Sequence, residues 1–106
     1  MITEKQVNDY VQDVQKATDD YYAKNFPSLK PDVISVGSKG KRYYKIVCNN
    51  VDQNGNKLAG GGVHCFIDVD GNIWKAASYK APQKNGIRGH ITNDKRPLLA
   101  GDFYVR

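Results

Sequence analysis

Apolar side chains recur at three- and four-residue steps over residues 4–24, and this spacing predicts an amphipathic helix. Thr3 and Gln6 have the spacing of a capping box at its start, while Asn25 and Pro27 end it. Charged residues fill most of the other positions. We therefore expect one face of this helix to pack on the core. Its members are Val7, Tyr10, Val11, Val14, Ala17, Thr18 and Tyr21.

Runs of apolar and β-branched residues after residue 32 predict an antiparallel sheet. Val33–Val36 and Arg42–Cys48 would flank a turn at residues 37–40, and residues 103–105 would form a short strand at the sheet edge. Asn54-Gly55 predicts a chain reversal in the polar segment between the second and third strands. Short turns join sequential strands as antiparallel neighbours. The expected fold is therefore α+β, with an N-terminal helix packed on a meander of four to five strands.

The most strongly patterned part of the sheet is residues 63–91, where two apolar runs flank Asp70-Gly71. An Asp-Gly pair favours a two-residue type I′ turn, because both central residues of that turn need positive φ. A three-residue turn would instead change the register and exchange the faces of one strand. After Pro82 we expect a basic loop with a further turn at Asn85-Gly86. The two-residue turn pairs Ile67 with Trp74, Cys65 with Ala76 and Val63 with Ser78 on the core face, and Phe66 with Lys75 and His64 with Ala77 on the outer face.

Composition is that of one soluble domain spanning residues 1–106, with 40% hydrophobic and 25% charged residues. No apolar run approaches the roughly 20 residues that a membrane helix needs, and no apolar signal segment follows the N-terminus. We therefore expect a cytoplasmic protein with no membrane partner. Cys48 and Cys65 have neither metal-site nor CxxC spacing, which favours two free thiols over a disulfide.

The net charge of +5 is unevenly distributed along the chain. Residues 1–40 hold five Lys against six Asp or Glu, a net of −1, whereas residues 41–106 hold eleven Lys or Arg against five Asp, a net of +6. A field of this kind favours phosphate, nucleic acid or an acidic protein surface as the partner. A solvated basic surface without a partner would give the same counts.

The motifs give little support to catalysis or to metal binding. His64 and His90 could meet beside a serine or cysteine nucleophile, but no nucleophile-elbow motif or orienting carboxylate accompanies them. Residues 68–72 resemble the start of a calcium loop, yet the glycine comes two positions early and Tyr79 stands where the bidentate glutamate belongs. We therefore expect no enzyme activity, no metal and no cofactor.

The positive signal is a basic and aromatic stretch around the second strand of the hairpin. A phosphate needs cationic donors, ideally a bidentate guanidinium, and a planar base needs an aromatic platform. The two lysines and the arginine of this set would hold phosphate, while Phe66 or Tyr79 would stack on the base. The candidate ligand-binding residues are Lys75, Lys80, Arg88, Phe66, Tyr79 and His64.

The hairpin and its loop resemble a group of small uncharacterised proteins encoded by tailed bacteriophages, which carry G-x-I-x-K-x-A-S-W-K-x-P followed by R-G-N-I. Tyr79 stands where this pattern has Trp, His90 stands where it has Asn, and the loop before Arg88 is one residue longer. The resemblance assigns no activity. It implies a phage origin, and hence expression in the bacterial host cytoplasm. The matching positions are Gly71, Ile73, Lys75, Ala77, Ser78, Lys80, Pro82, Arg88, Gly89 and Ile91.

Three classes of function follow from these observations. The leading expectation is non-catalytic binding of a phosphate-bearing small molecule, for instance a nucleotide signal of host defence that the protein would sequester. The second class is a protein-interaction module, either an inhibitor of an acidic host protein or a virion component. Nucleic-acid binding comes third, because the basic residues cover a short span and fold signatures are missing. The identity of the ligand and the oligomeric state, a homodimer included, stay open.

Overall fold

The structure, a computed structural model, describes residues 2–52, 54–56, 62–78, 81–93 and 96–99. Within these residues one helix precedes five strands, which form a single antiparallel sheet in the order β1-β2-β3-β4-β5. The expected α+β fold, a helix on an antiparallel meander, is therefore confirmed. The elements are α1 (Glu4–Asn25), β1 (Val33–Lys39), β2 (Tyr43–Asn49), β3 (Gly62–Asp68), β4 (Asn72–Ala76) and β5 (Pro82–His90).

Helix α1 begins at the capping box that the sequence predicts. Thr3 Oγ1 accepts a hydrogen bond from the Gln6 backbone N–H at 3.2 Å, and Gln6 Oε1 accepts one from the Thr3 backbone N–H at 2.9 Å. The buried face carries five of the seven expected residues, whereas Tyr21 is 45% exposed. Tyr21 instead makes ring contacts with Tyr22 and Phe26 at the end of the helix.

The core lies between α1 and one face of the sheet. The helix contributes apolar side chains one and two turns apart, and the strands contribute every second side chain. The apolar face of the helix and that of the sheet therefore meet in one layer. Burying each large aliphatic side chain stabilises the fold by about 1.5–3 kcal/mol. The buried cluster consists of Val7, Tyr10, Val11, Val14, Ile34, Tyr44, Ile46, Cys65, Ile67, Ile73 and Ile91.

The β3–β4 turn has three residues rather than two. Ile67 pairs with Ile73, and Phe66 pairs with Trp74. Within the turn only Gly71 adopts positive φ, at 94°, whereas a type I′ turn needs two such residues. The Asp68 carboxylate closes the connection instead, because its Oδ1 accepts hydrogen bonds from the backbone N–H groups of Asp70 and Asn72.

This register reverses the expected faces of β4. Ile73, with 0% exposure, takes the core position that the sequence assigned to Trp74, and Trp74 lies on the outer face with Phe66. Lys75 is two residues from Ile73 and so shares its face, which separates it from Phe66. The predictions that Trp74 lies on the core face and that Lys75 lies opposite Phe66 were therefore wrong.

The expected basic loop after Pro82 is instead β5, which pairs with β4 through two register irregularities. Arg88 is the extra residue at the first one, between the Ile73–Gly89 and Trp74–Ile87 pairs. Asn85 has φ of 58°, so the chain bends at the predicted Asn85-Gly86 position, but this bend is part of a bulge inside the strand. The strand expected at residues 103–105 lies outside the described residues.

Two other turn predictions have different outcomes. The first hairpin turns at residues 40–42 instead of 37–40, and β1 continues to Lys39 with a register shift between Val36 and Ser38. The Asn54-Gly55 turn is confirmed, with Gly55 at φ of 85°.

Both cysteines are free, as predicted. No helix in the described part of the chain is long and apolar enough to cross a membrane.

Candidate functional site

The four predicted ligand-binding residues that the structure describes do not come together as one site. Tyr79 and Lys80 lie outside the described residues. Phe66 is only 3% exposed and sits against the ring of Tyr43, so it offers no face for a base to stack on. Lys75 lies on the other face of the sheet from Phe66, as the register requires. The proposed stacking role of Phe66 and its pairing with Lys75 are therefore wrong.

His64 was expected on the outer face, but a bulge turns it toward the C-terminal segment. Ile46 pairs with Cys65 and Val47 with Val63, so His64 is the extra residue of β3. Its Nε2 lies 2.9 Å from the Leu98 carbonyl oxygen and its Nδ1 lies 3.4 Å from Cys65 Sγ. Since a carbonyl only accepts, Nε2 must donate. In the described residues this histidine connects β3 to the segment at residues 96–99 through the Leu98 carbonyl oxygen.

Arg88 is the extra residue at the first β5 bulge, and its guanidinium lies along its own strand. Its Nη1 is 3.4 Å from the carbonyl oxygens of both Asn85 and Ile87. Distances of this length are weak hydrogen bonds. These two contacts place Nη1 beside the Asn85–Ile87 backbone of its own strand.

The structure assembles a different aromatic site on the outer face, which we call the Tyr43–Trp74 cleft. The ring of Tyr43 lies 6.0 Å from that of Phe66, at 72°, and 6.0 Å from that of Trp74, at 84°. Both contacts are edge-to-face, the geometry that aromatic quadrupoles favour. Phe66 is buried beneath, while Tyr43 and Trp74 stay half-buried. Two rings therefore form the walls of a corner that is open to solvent.

Asp68 sets the orientation of the indole. Its Oδ2 accepts hydrogen bonds from Trp74 Nε1 at 2.9 Å and from Asn72 Nδ2 at 3.0 Å. Burial of Asp68 acts to raise its pKa, but the hydrogen bonds from Trp74, Asn72 and Asp70 outweigh burial and lower the pKa. With four donors on its two oxygens, this carboxylate supports the site and has little capacity left for a ligand.

Two cations stand at the mouth of the cleft. Arg42 Cζ lies 5.8 Å from the centroid of the Tyr43 ring, within cation–π range. Arg42 and Lys41 are both exposed in the turn between β1 and β2. The cleft has a volume of about 200 Å³, and it is lined by Lys41, Arg42, Tyr43, Asp68, Val69, Asp70 and Trp74.

The second histidine contacts the turn that contributes Asp70 to the cleft lining. His90 Nε2 lies 2.6 Å from the Asp70 carbonyl oxygen, and its Nδ1 lies 2.8 Å from Thr92 Oγ1. The carbonyl can only accept, so Nε2 carries the proton and Nδ1 accepts from Thr92. His64 and His90 thus have separate structural contacts. No cluster of three His, Cys, Asp or Glu side chains suited to a metal occurs among the described residues.

Local sequence patterns did not predict this cleft, because its two halves are far apart in the chain. Tyr43 opens β2 and Arg42 directly precedes it, whereas Asp68 and Trp74 belong to the β3–β4 hairpin. The β2–β3 register joins them by pairing Tyr43 with Asp68. A cation directly before an aromatic residue at the start of a strand was the available signal.

Comparison with known proteins gives a family but no activity. A family model matches residues 1–100. The chain belongs to the DUF7717 family, a family of unknown function. No curated protein and no solved structure matches this chain. Membership in DUF7717 therefore brings no substrate with it, and the function has to be argued from the cleft.

Proposed function

We propose that this protein binds, without catalysis, a phosphate-bearing ligand with a planar base, such as a nucleotide, in the Tyr43–Trp74 cleft. The observation that carries this proposal is the convergence of two aromatic rings and the Arg42 guanidinium on one open corner. An aromatic face stacks on any base, and a guanidinium matches phosphate oxygens bidentately. The base would lie against Trp74 or Tyr43, and the phosphate would meet Arg42 and Lys41.

The shape of the cleft constrains how such a ligand lies. Because the two rings are nearly perpendicular, a base can stack on one and present its edge to the other. The volume of about 200 Å³ is smaller than the roughly 300–1,000 Å³ of pockets that enclose a whole drug-sized ligand. The base would therefore be inside the corner, with the sugar and phosphate exposed.

The carboxylates of the cleft direct the phosphate. The four hydrogen bonds donated to Asp68 stabilise its charge locally. Asp70 is exposed at the rim and would repel a phosphate placed next to it. Lys41 and Arg42 form no ion pair with another described residue. The phosphate would therefore lie on the side of the cleft formed by the β1–β2 turn.

The resemblance of the hairpin to phage proteins suggests the setting. A small, basic, non-catalytic nucleotide binder made during infection could lower the free concentration of a host nucleotide signal in the bacterial cytoplasm. This role needs a tight site but no catalytic group, which agrees with the structural uses of both histidines.

Calorimetric titration tests the proposal, with AMP, GMP, adenosine and inorganic phosphate as probes. The variants are Arg42→Gln and Tyr43→Leu, and Lys24→Gln on the exposed surface of α1 is the matched control for a lost charge. We expect Arg42→Gln to weaken AMP binding by about 10- to 100-fold, the loss of one charge-assisted hydrogen-bonded contact. Tyr43→Leu should weaken AMP and adenosine alike.

The control variant should bind AMP as the wild type does. If no probe binds the wild-type protein, the proposal is wrong, and binding to an acidic protein surface becomes the leading alternative. If AMP binds but Arg42→Gln and Tyr43→Leu leave the affinity unchanged, the site is elsewhere on the molecule.

A further inference from the structure

We infer that the site continues across Trp74 to β5 and takes a ligand of two linked nucleotide units. This inference rests on the proposed function, because it extends the same site. Its first support is the cross-strand pair Trp74–Ile87. Residues directly opposite each other in an antiparallel pair share a face, with Cβ atoms about 4.5–5.5 Å apart. Ile87 is therefore a neighbour of Trp74 on the outer face.

Ile87 gives this second position an apolar surface. It is 48% exposed, one of the few large hydrophobic side chains in the described residues with so much surface in water. Trp74 thus contacts the Tyr43 ring toward β2 and is paired with Ile87 in β5 on its other side. The Tyr43–Trp74 cleft takes one base, and the exposed strip from Trp74 to Ile87 provides an apolar surface for the next.

The charge around this second position fits a second phosphate. Strand β5 carries two cations, Lys84 and Arg88, and residues 72–93 contain no Asp or Glu. Arg88 lies next to Ile87 in β5, and its Nη1 is 3.4 Å from the main-chain carbonyl oxygens of Asn85 and Ile87. Lys84 is exposed on the same strand. A phosphate here would meet cations without a carboxylate from this segment to oppose it.

The span also exceeds one base. Tyr43 is on β2 and Ile87 is on β5, three strand spacings apart, which is roughly 14 Å at about 4.8 Å per spacing. One base in the Tyr43–Trp74 cleft leaves the Ile87 side uncovered, whereas two linked units reach both. Arg42 would hold the phosphate of the first unit, and Arg88 would hold the phosphate of the second.

The test compares AMP, the linear dinucleotide pApA and an adenylate strand of about eight nucleotides. Each is titrated into the wild type, Ile87→Ala, Arg88→Gln, Arg42→Gln and the control Lys24→Gln, with circular dichroism to confirm that every variant is folded. We expect pApA to bind about tenfold or more tightly than AMP. Ile87→Ala and Arg88→Gln should remove this advantage and leave AMP affinity within about twofold.

The longer strand identifies the source of the two units. If it binds more tightly than pApA, with a steep loss of affinity at higher salt, the natural ligand is single-stranded nucleic acid. If it binds no more tightly than pApA, the ligand is a free dinucleotide. The inference is overturned if pApA binds no better than AMP, or if Ile87→Ala and Arg88→Gln weaken AMP and pApA equally. Either result leaves the proposed nucleotide site intact. If the wild-type protein binds none of the probes, both the proposed function and this inference are wrong.

Discussion

Trp74 Nε1 donates a hydrogen bond to Asp68 Oδ2 at 2.9 Å, and this contact joins the β3–β4 turn to the outer face of the sheet. The other oxygen of the same carboxylate accepts from the backbone N–H groups of Asp70 and Asn72. One side chain therefore determines both the length of the turn and the orientation of the indole. The register of the hairpin and the geometry of the candidate site have a common origin.

Replacing Asp68 should disturb the turn and the ring together. Asn offers one acceptor oxygen in place of two, and its NH₂ group would face donors. We expect Asp68→Asn to lower the free energy of unfolding by about 1–3 kcal/mol and to increase iodide quenching of Trp74 fluorescence. Asp70→Asn, exposed in the same turn, should change stability by less than about 0.5 kcal/mol. Equal effects of the two variants would argue against the special role of Asp68.

The lowered pKa of Asp68 predicts a specific dependence of stability on pH. A carboxyl group whose pKa is lower in the folded state stabilises the protein above its unfolded pKa, and this contribution is lost as the pH falls through the folded pKa. The difference in unfolding free energy between wild type and Asp68→Asn should therefore be constant near neutral pH. It should narrow below about pH 3.9, the ordinary value for aspartate. Urea titrations across that range measure it, and a difference independent of pH would contradict the prediction.

Local patterns were sufficient to predict α1 and the order of the strands. The capping box and the apolar stripe of the helix depend on residues within one or two turns of each other, so the sequence displays them directly. The meander follows from short turns between neighbouring strands. In the stripe Ala17 is only half-buried and Tyr21 is exposed, because helical spacing describes the direction of a side chain and not whether a strand lies opposite it.

The faces of β4 and the candidate site could not be predicted from local patterns. Asp70-Gly71 is compatible with either turn length, and the choice depends on the Asp68 side chain, which favours the three-residue connection. One residue of register moved Trp74 from the core to the outer face. Similarly, the pairing of Tyr43 with Asp68 is a contact between distant segments. It becomes visible only when the strands are aligned.

The observed register predicts that Ile73, not Trp74, is the important core residue of β4. Ile73 has 0% exposure and lies in the buried cluster beneath α1. We expect Ile73→Ala to cost about 2–5 kcal/mol of unfolding free energy through cavity formation. Ile87→Ala, the same change on the exposed strand, should cost about 0.5 kcal/mol or less. Denaturant titration measures the unfolding free energy of both variants. A larger loss of unfolding free energy for Ile87→Ala than for Ile73→Ala would refute the register.

The two thiols should differ in reactivity while the protein is folded. Burial raises the pKa of the Cys65 thiol, and desolvation raises the pKa of the half-buried Cys48 thiol. Since the thiolate is the reactive form, both should be labelled slowly by iodoacetamide in native protein, and Cys65 more slowly than Cys48. Under denaturing conditions without reductant both should be labelled fully, as mass spectrometry would show. Recovery of neither thiol would indicate a disulfide.

Two glycines with similar backbone angles separate the effect of strain from the effect of packing. Gly55 has φ of 85° and Gly71 has φ of 94°, so alanine is strained at both positions. A Cβ on Gly55 would meet nothing within 4 Å, whereas one on Gly71 would lie 2.8 Å from the His90 ring and 2.9 Å from Ile2 Cγ2.

We therefore expect Gly55→Ala to lower the free energy of unfolding by about 1–2 kcal/mol, which is the cost of positive φ alone. Gly71→Ala should lower it by about 1–3 kcal/mol more, because His90 and Ile2 must move. Both neighbours are fixed near the turn, since Ile2 N–H donates to the Val69 carbonyl oxygen and His90 contacts the Asp70 carbonyl oxygen. Their displacement should reach the cleft, so Gly71→Ala, unlike Gly55→Ala, should shift the Trp74 emission spectrum. Equal losses of stability and unchanged emission in both variants would show that the turn is not packed as described.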